Sequence, residues 1–142
     1  MVLVVVVCVG PHNEIGINNH CCYRIPEDRA FFQALITNQT VIVGHKTYES
    51  IPKHILQLCK HVVVLTHTNC DIQEYINSTD NIYVIGGAQT YKSLEQYTQT
   101  YYITHVDKPT QADTYFTVDM SPYVHKEVIM CHIDWKIIKY TK

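Results

Sequence analysis

Apolar runs typical of buried strands alternate along this chain with short segments whose apolar positions recur at helical spacing. The strand-like runs cover residues 2–9, 40–44, 61–66, 81–85 and 100–106, and the helical patterns cover residues 26–36, 46–51, 71–78 and 88–97. The segment 125–142 predicts a terminal hairpin that turns near residues 132–134. Together they predict an α/β fold: a central mixed, mostly parallel sheet with flanking helices and an antiparallel C-terminal hairpin.

Composition narrows the class of protein. Among 142 residues 17% are charged and 46% are hydrophobic, which is typical of one folded domain covering residues 1–142. The net charge of -2 gives no basic footprint for nucleic acid. The apolar start at residues 2–9 is too short to span a membrane and is unlike a signal peptide. With no coiled-coil pattern or long apolar exposed helix, we expect a monomer.

The six cysteines and nine histidines lack the spacing of metal ligands, since no C-x-x-C or H-x-x-x-H pattern occurs. We therefore expect no metal site. Without a secretion signal, the cysteines predict reduced thiols and a cytoplasmic protein.

One acid stands at the head of an apolar stripe. Pro26 is typical of the first turn of a helix, and Asp28 follows it. The residues that share a helix face with Asp28 are Phe31, Phe32 and Leu35. An acid in a first turn interacts favourably with the positive end of the helix, which needs no ligand. The alternative is a half-buried carboxylate that awaits a ligand, since such groups cluster in active sites.

Three predicted strands end in groups suited to an anion. Residues 86–87 are two glycines between a strand and a helix, where the backbone can approach a ligand closely. Residues 44–47 and 66–68 add imidazole, ammonium and hydroxyl groups at two more strand ends. Each alone is also typical of an ordinary polar turn. Because parallel strands end at one edge of a sheet, together they predict a dinucleotide, with a flat nitrogen-containing partner for Asp28.

Six motifs occur in an order that resembles the dihydrofolate reductase family. They read NEIGINN, IPEDRAFF, VIVGHKTYESI, VIGGAQTY, YITHVD and ADTYF, and the resemblance extends from Val2 to near Phe116. It implies the family's mixed sheet, NADPH as the cofactor, and reduction of 7,8-dihydrofolate to 5,6,7,8-tetrahydrofolate. Hydride would pass to C6 and a proton to N5, with Asp28 anchoring the pterin and Thr104 hydrogen-bonding Asp28.

The resemblance also assigns residues to the site. The catalytic residues implied are Asp28, Thr104 and Tyr23. The substrate-binding residues implied are Val6, Val7, Asp28, Arg29, Phe32, Ser50, Ile51, Lys60, Ile85 and Thr104. The cofactor-binding residues implied are Cys8, Ile15, Gly16, Gly44, His45, Lys46, Thr47, Thr66, His67, Gly86, Gly87, Ala88, Gln89, Thr90 and Tyr91.

Further structural details follow from the same resemblance. The peptide between Gly86 and Gly87 would be cis, and Phe31 would belong to the core. Asp113 and Thr114 would tie a distant loop to the mobile loop over the site.

The mobile loop departs from the family pattern. Where the family usually carries Leu-Pro-Trp or Met-Pro-Trp, this chain has Cys21, Cys22 and Tyr23. Tyr23 keeps an aromatic surface and a hydrogen-bonding group. Loss of the proline is expected to loosen the loop, which affects closure and turnover.

Two ligand-binding arginines of the family are also replaced. Lys60 takes the place of the arginine for the folate glutamate, so weaker binding of that tail is expected, with Arg29 as partial compensation. His45 takes the place of the arginine for the 2′-phosphate, with help from Lys46 and His67, which makes the preference for NADPH over NADH less secure. The short interval 66–82 predicts a trimmed sheet.

Two other functions remain open. Weak recognition of the folate tail would favour a relative that reduces another pterin or a pyrimidine precursor. The altered loop would favour a folate- or nucleotide-binding protein with weak or lost catalysis. Retention of Asp28, Phe32, Gly86, Gly87 and Thr104 favours the active reductase.

Overall fold

A seven-stranded sheet is the largest element of the computed structural model, which describes residues 2–66 and 79–142. Its strands are β1 (Val2–Val9), β4 (Thr40–Gly44), β5 (His61–Leu65), β6 (Asn81–Val84), β7 (Thr98–Val106), β9 (His125–Cys131) and β10 (Trp135–Thr141). Across the sheet their order is β5-β4-β6-β1-β7-β10-β9. In this order the strands from β5 to β7 run parallel to one another. Strand β10 runs antiparallel to β7, and β9 runs antiparallel to β10. The predicted α/β architecture with its antiparallel hairpin is confirmed.

Short helices follow several of the strands. Within the described ranges they are α1 (Pro26–Ile36), α2 (His45–Ser50), α3 (Lys53–Leu56) and α4 (Ala88–Ser93), with a 3-10 turn at Glu95–Tyr97. Pro26 begins α1, where its missing N–H costs no helical hydrogen bond. The four-residue α3 was not predicted because it is too short to show a helical period.

The side chains of β1 alternate between two cores. Val5 is fully buried on the face that also receives Tyr91 of α4. Val4 packs on the opposite face, in the core that contains Ile36 of α1. Burial of one such valine side chain stabilises the fold by roughly 1.5–3 kcal/mol. Because β1 is apolar on both faces, it packs against helices on both sides of the sheet.

A second, three-stranded sheet includes residues between β1 and α1, for which the sequence pattern predicts no strand or helix. Its strands are β2 (Glu14–Ile17), β3 (His20–Cys21) and β8 (Thr114–Tyr115), in the order β3-β2-β8. Gly16 pairs with Cys21 on one side and with Thr114 on the other. Local pattern did not reveal these strands because each is very short and β8 lies far along the chain.

The predicted helix at residues 71–78 lies outside the described residues. The same is true of most of the interval 66–82, for which the sequence predicts a trimmed sheet. Within residues 2–66 and 79–142, no helix combines the length and apolar character needed to cross a membrane.

The outer strand of the hairpin, β9, is exposed along its whole length. The ladder between β9 and β10 has an irregularity between Ile137 and Ile138, and β9 carries Lys126 and Glu127. An irregular, charged edge strand resists pairing with other chains.

Candidate functional site

Asp28 lies in the first turn of α1 and faces Thr104 of β7. The Thr104 hydroxyl donates a hydrogen bond of 2.5 Å to Oδ1 of Asp28. Burial raises the pKa of the Asp28 carboxyl, and hydrogen bonds from Thr104 and the Cys8 thiol lower it by a smaller amount. Cys8 comes close because it pairs with Thr104 across β1 and β7. The carboxylate is therefore partly withdrawn from water and held in place, as is typical of ligand-binding acids.

An apolar wall accompanies this carboxylate. Phe32 lies four residues after Asp28 and so shares its face of α1. The side chains that pack in the same core, between α1 and the sheet, include Val6, Phe32, Ile51 and Ile85. The structure thus brings together four predicted substrate-binding residues from four different segments of the chain.

Two further predicted residues, Val7 and Ser50, make contacts outside that core. Val7 packs in the core on the opposite face of β1 from Val6. Successive strand residues point to opposite faces, so the side chains of Val6 and Val7 cannot both face α1. The hydroxyl of Ser50, at the end of α2, bonds the carbonyl of Thr47 at 3.0 Å.

Phe31 and Tyr23 pack in a third cluster, beside Trp135. Phe31 is half-buried against this cluster and meets Tyr102 edge to face with ring centroids 5.6 Å apart. The Tyr23 hydroxyl donates a hydrogen bond of 2.5 Å to the carbonyl of Lys108. Burial and the nearby carboxylate of Glu14 raise the pKa of Tyr23 to about 12, so Tyr23 stays protonated at neutral pH.

Glycine turns bring two strand ends into contact. The N–H of Gly44 donates a hydrogen bond of 2.7 Å to the carbonyl of Gly86. A Cβ at Gly44 would lie 2.5 Å from Oγ1 of Thr90, and a Cβ at Gly87 would lie 2.9 Å from Oγ1 of Thr47. The peptide between Gly86 and Gly87 is cis, as the resemblance implied. The two turns form a narrow glycine cradle in which hydroxyl groups from α2 and α4 face bare backbone.

The predicted 2′-phosphate residues lie beside this cradle in part. His45 begins α2, and its Nε2 lies 3.3 Å from Oε1 of Glu49, one turn further on, with both side chains 59% exposed. Thr66 follows β5 at the same edge of the sheet. His67 lies outside the described residues.

The start of α4 carries the remaining positions that the resemblance assigned to the cofactor. Ala88 and Gln89 open the helix directly after the cis peptide. The hydroxyl of Tyr91 donates a hydrogen bond of 2.9 Å to the carbonyl of Val6, which joins α4 to β1. Ile15 of β2 packs, partly buried, against the core on this face.

A loop crosses the strand ends from one side of the site to the other. The Asp113 N–H donates to the Gly16 carbonyl, and Oδ2 of Asp113 accepts the N–H of Asn18, both at 3.0 Å. At the other side, Nδ2 of Asn19 donates to the carbonyl of Lys46 at 2.9 Å. The segment therefore spans from β8 to the start of α2, and Asp113 makes the loop tie that the resemblance implied.

The two adjacent cysteines belong to this loop. The N–H of Cys22 donates to the Ile15 carbonyl at 3.2 Å, and its Sγ lies 3.8 Å from the carbonyl of Gln111. Burial raises the pKa of both thiols, and the Asp28 carboxylate raises that of Cys21 further. Strand pairing of Cys21 and the bonds of Cys22 thus hold this part of the loop.

Lys60 lies near the opposite end of α1 from Asp28. Its N–H donates a hydrogen bond of 2.9 Å to the carbonyl of Gln39, shortly after α1 ends. An 11-residue helix is about 16 Å long, so a ligand anchored at Asp28 must extend along α1 to reach Lys60. Arg29 is exposed beside Asp28.

Sequence reasoning missed Glu14 and Gly10. Glu14 is 2% exposed, and a Cβ at Gly10 would lie 2.8 Å from its Oε1. The sequence signal for this pair is that Glu14 stands just before a short apolar stretch and is separated from Gly10 by a tight turn. Its meaning depends on the distant segment near Thr110, whose N–H bonds the Glu14 carboxylate.

Comparisons with known proteins agree with this geometry. A family model described as dihydrofolate reductase matches residues 2–136. A dihydrofolate reductase of Buchnera aphidicola subsp. Baizongia pistaciae is 29% identical over 147 residues, covering 94% of this chain and 82% of the relative. Dihydrofolate reductase type 9 of Escherichia coli is 32% identical over 129 residues, covering 77% and 72%. Within the described ranges, no three His, Cys, Asp or Glu side chains gather as a metal site.

Proposed function

The chain belongs to the dihydrofolate reductase family, and from that premise we propose that it reduces 7,8-dihydrofolate to 5,6,7,8-tetrahydrofolate with NADPH. The observation that carries the proposal is the hydrogen-bonded pair of Asp28 and Thr104 at the head of an apolar wall. A mostly apolar pocket with one positioned polar group is typical of a small-molecule site.

Asp28 has the shape and charge to bind the edge of a pterin. A carboxylate accepts two parallel hydrogen bonds from a ring N–H and its neighbouring amino group, and charge makes both bonds strong. Thr104 fixes one carboxylate oxygen and therefore the orientation of that pair. The negative charge, partly withdrawn from water, raises the proton affinity of a ring bound to it and so favours protonation of N5 by water.

The apolar wall would hold the flat ring and exclude water from it. Phe32 offers a ring face, and Ile51 and Ile85 pack around it in the same core. Exclusion of water strengthens the hydrogen bonds to Asp28, because charges interact more strongly in a medium of low dielectric constant.

The glycine cradle fits the pyrophosphate of a dinucleotide. Gly44, Gly86 and Gly87 leave backbone without side chains, and the hydroxyls of Thr47 and Thr90 point at that backbone. Such groups can donate hydrogen bonds to phosphate oxygens at close range. NADPH, when bound, supplies the hydride for C6.

The outer parts of both ligands would meet charged side chains. We assign the 2′-phosphate of NADPH to His45 and Lys46, with His67 as a further candidate. We assign the glutamate tail of dihydrofolate to Lys60, which lies near the far end of α1 from Asp28, with Arg29 near the pterin.

Residues 1–142 would act as one monomeric domain in the cytoplasm. Among the described residues, Cys8, Cys21, Cys22, Cys59 and Cys131 are free thiols, which suits a reducing compartment.

The test is NADPH oxidation by the purified protein, followed by absorbance with and without dihydrofolate. We expect steady oxidation that requires dihydrofolate and yields one tetrahydrofolate for each NADPH. Bound NADPH with no oxidation would contradict the proposal and favour the binding protein. Oxidation with another pterin or a pyrimidine precursor, but not with dihydrofolate, would favour the other reductase.

A further inference from the structure

Glu14 is a buried carboxylate whose two oxygens each accept a hydrogen bond from a backbone N–H. It is 2% exposed, although it stands at the start of a short strand on the surface loop. Oε1 accepts the N–H of His12 at 2.5 Å, and Oε2 accepts the N–H of Thr110 at 3.3 Å. Burying a charged group is costly unless hydrogen bonds replace its water, so these backbone donors are what allow Glu14 to be buried.

The charge of Glu14 is favoured by its surroundings. Burial acts to raise the pKa of Glu14, but the backbone N–H groups lower it by more, and His12 adds to the lowering. The Nδ1 atom of His12 lies 3.8 Å from Oε2, with the imidazole largely exposed. Glu14 is therefore ionised at neutral pH and accepts hydrogen bonds without donating any.

The Tyr23 hydroxyl lies beside the same carboxylate. It donates a hydrogen bond of 2.5 Å to the carbonyl of Lys108, two residues before Thr110. A Cβ at Gly10 would overlap both the Tyr23 hydroxyl and Oε1 of Glu14. The two side chains thus crowd one point above Gly10, and both reach the segment 108–110.

These contacts lie at the base of the loop that crosses the site. Glu14 begins β2, and Tyr23 follows β3, so the two residues bracket the loop. Beyond them the loop continues to Asn19, which reaches Lys46 at the start of α2. The contacts of Glu14 and Tyr23 therefore act at the base of the loop, together with the bonds of Asp113 and Asn19 further along it.

We propose that Glu14 and Tyr23 form a clasp with residues 108–110 that holds the loop closed over the site. Glu14 acts as a positioning residue, because its partners are backbone groups of the loop and the 108–110 segment. The expected effect of the clasp on the rate of dihydrofolate reduction rests on the proposed function. The clasp itself does not, because its contacts are present in the free protein.

Substitution of Glu14 by Gln tests the clasp. The two partners of the Glu14 carboxylate are N–H donors, those of His12 and Thr110. A Gln side chain offers only one acceptor oxygen, and its NH₂ group would face the other N–H, so one hydrogen bond is lost. Glu14→Asp keeps the charge and should restore part of the function. Glu127→Gln is the matched control, because Glu127 is exposed on the edge strand β9.

Kinetics separate positioning from a general loss of structure. In single turnovers, Glu14→Gln should slow dihydrofolate reduction by at least about tenfold, while the Kd of dihydrofolate stays within about twofold, since Asp28 still binds it. Tyr23→Phe should slow it in the same way. If the two residues act as one unit, the double variant should be little slower than either single one.

Amide hydrogen exchange in the free protein tests the clasp without any turnover. Glu14→Gln should speed exchange at Thr110 by about tenfold or more, with Glu127→Gln unchanged. Failure of the wild-type protein to reduce dihydrofolate would overturn the proposed function but leave this readout intact. Unchanged exchange at Thr110 in Glu14→Gln, or in Tyr23→Phe should the Gln variant not fold, would overturn the clasp.

Discussion

The hydroxyl of Thr104 donates a hydrogen bond of 2.5 Å to the carboxylate of Asp28, although the two residues are 76 positions apart. Asp28 belongs to α1 and Thr104 to β7, so the bond joins a helix to the middle of the sheet. The polar group at the head of the apolar wall is therefore positioned by rigid elements, which suits a site that must hold a ring in a fixed orientation.

Removing the hydroxyl of Thr104 should shift the pH dependence of activity. The hydrogen bond from Thr104 lowers the pKa of Asp28, so Thr104→Val should raise that pKa further above its ordinary value. The limb of the kcat/KM profile that reports Asp28 should then move to higher pH, with a loss of about tenfold at neutral pH. Thr104→Ser keeps the hydroxyl and should stay near wild type. A Val profile that overlays the wild type would show that the bond does not tune Asp28.

The ionised carboxylate of Asp28 should destabilise the folded protein when no ligand is bound. Its pKa is raised in the folded state above the unfolded value, so its contribution to stability is fully present below the unfolded pKa and is lost as pH rises through the folded pKa. At neutral pH, Asp28→Asn should therefore raise the free energy of unfolding by about 1 kcal/mol, as is common for active-site charges.

Urea denaturation at pH 7 and near pH 4 measures this effect. The advantage of Asp28→Asn should shrink at the lower pH, where the wild-type carboxyl gains its proton in the folded state. A variant less stable than wild type at pH 7 would show that the surroundings of Asp28 favour its ionised form, against the raised pKa.

Lys60→Arg should tighten binding of the folate tail. Arginine makes two parallel hydrogen bonds to a carboxylate where lysine offers a single charge, so the Kd of dihydrofolate should fall by up to about tenfold. Dihydropteroate, which lacks the glutamate, should bind both proteins equally. Lys53→Arg, on the exposed start of α3, is the control. Equal gains for dihydrofolate and dihydropteroate would exclude a tail contact at Lys60.

His45→Arg should increase the preference for NADPH over NADH. His45 is paired with Glu49 at 3.3 Å, and both are exposed, so the anionic Glu49 competes with a phosphate for the imidazole. A permanent guanidinium at this place should lower the KM for NADPH by about tenfold and leave NADH unchanged. His54→Arg on α3 serves as the comparison. An equal change for both nucleotides would place the 2′-phosphate elsewhere.

The main sheet was predictable because its information is local. Residues 2–9 are apolar on both faces, which is typical of a central parallel strand, and β1 occupies that place. Pro26 marked the start of α1 in the same way. Asp28 and Thr104 were paired through the resemblance, since nothing in either motif alone indicates the other.

The features that were not predicted depend on distant partners. β2 exists because Gly16 pairs with Thr114, and Glu14 is buried because the N–H of Thr110 meets its carboxylate. Motif order predicted which residues to expect around Asp28, whereas pairing between distant segments decided how the loop is held.

The sharpest measurement of the proposed chemistry compares kcat/KM for dihydrofolate between the wild-type protein and Asp28→Asn, with NADPH binding measured on the same samples. Wild type should oxidise NADPH steadily, and the variant should be slower by on the order of 10²–10⁴-fold. NADPH should bind both equally, because the glycine cradle is built from α2, α4 and the strand ends and not from α1. A variant that retains the wild-type rate would contradict the role of Asp28 as the pterin anchor.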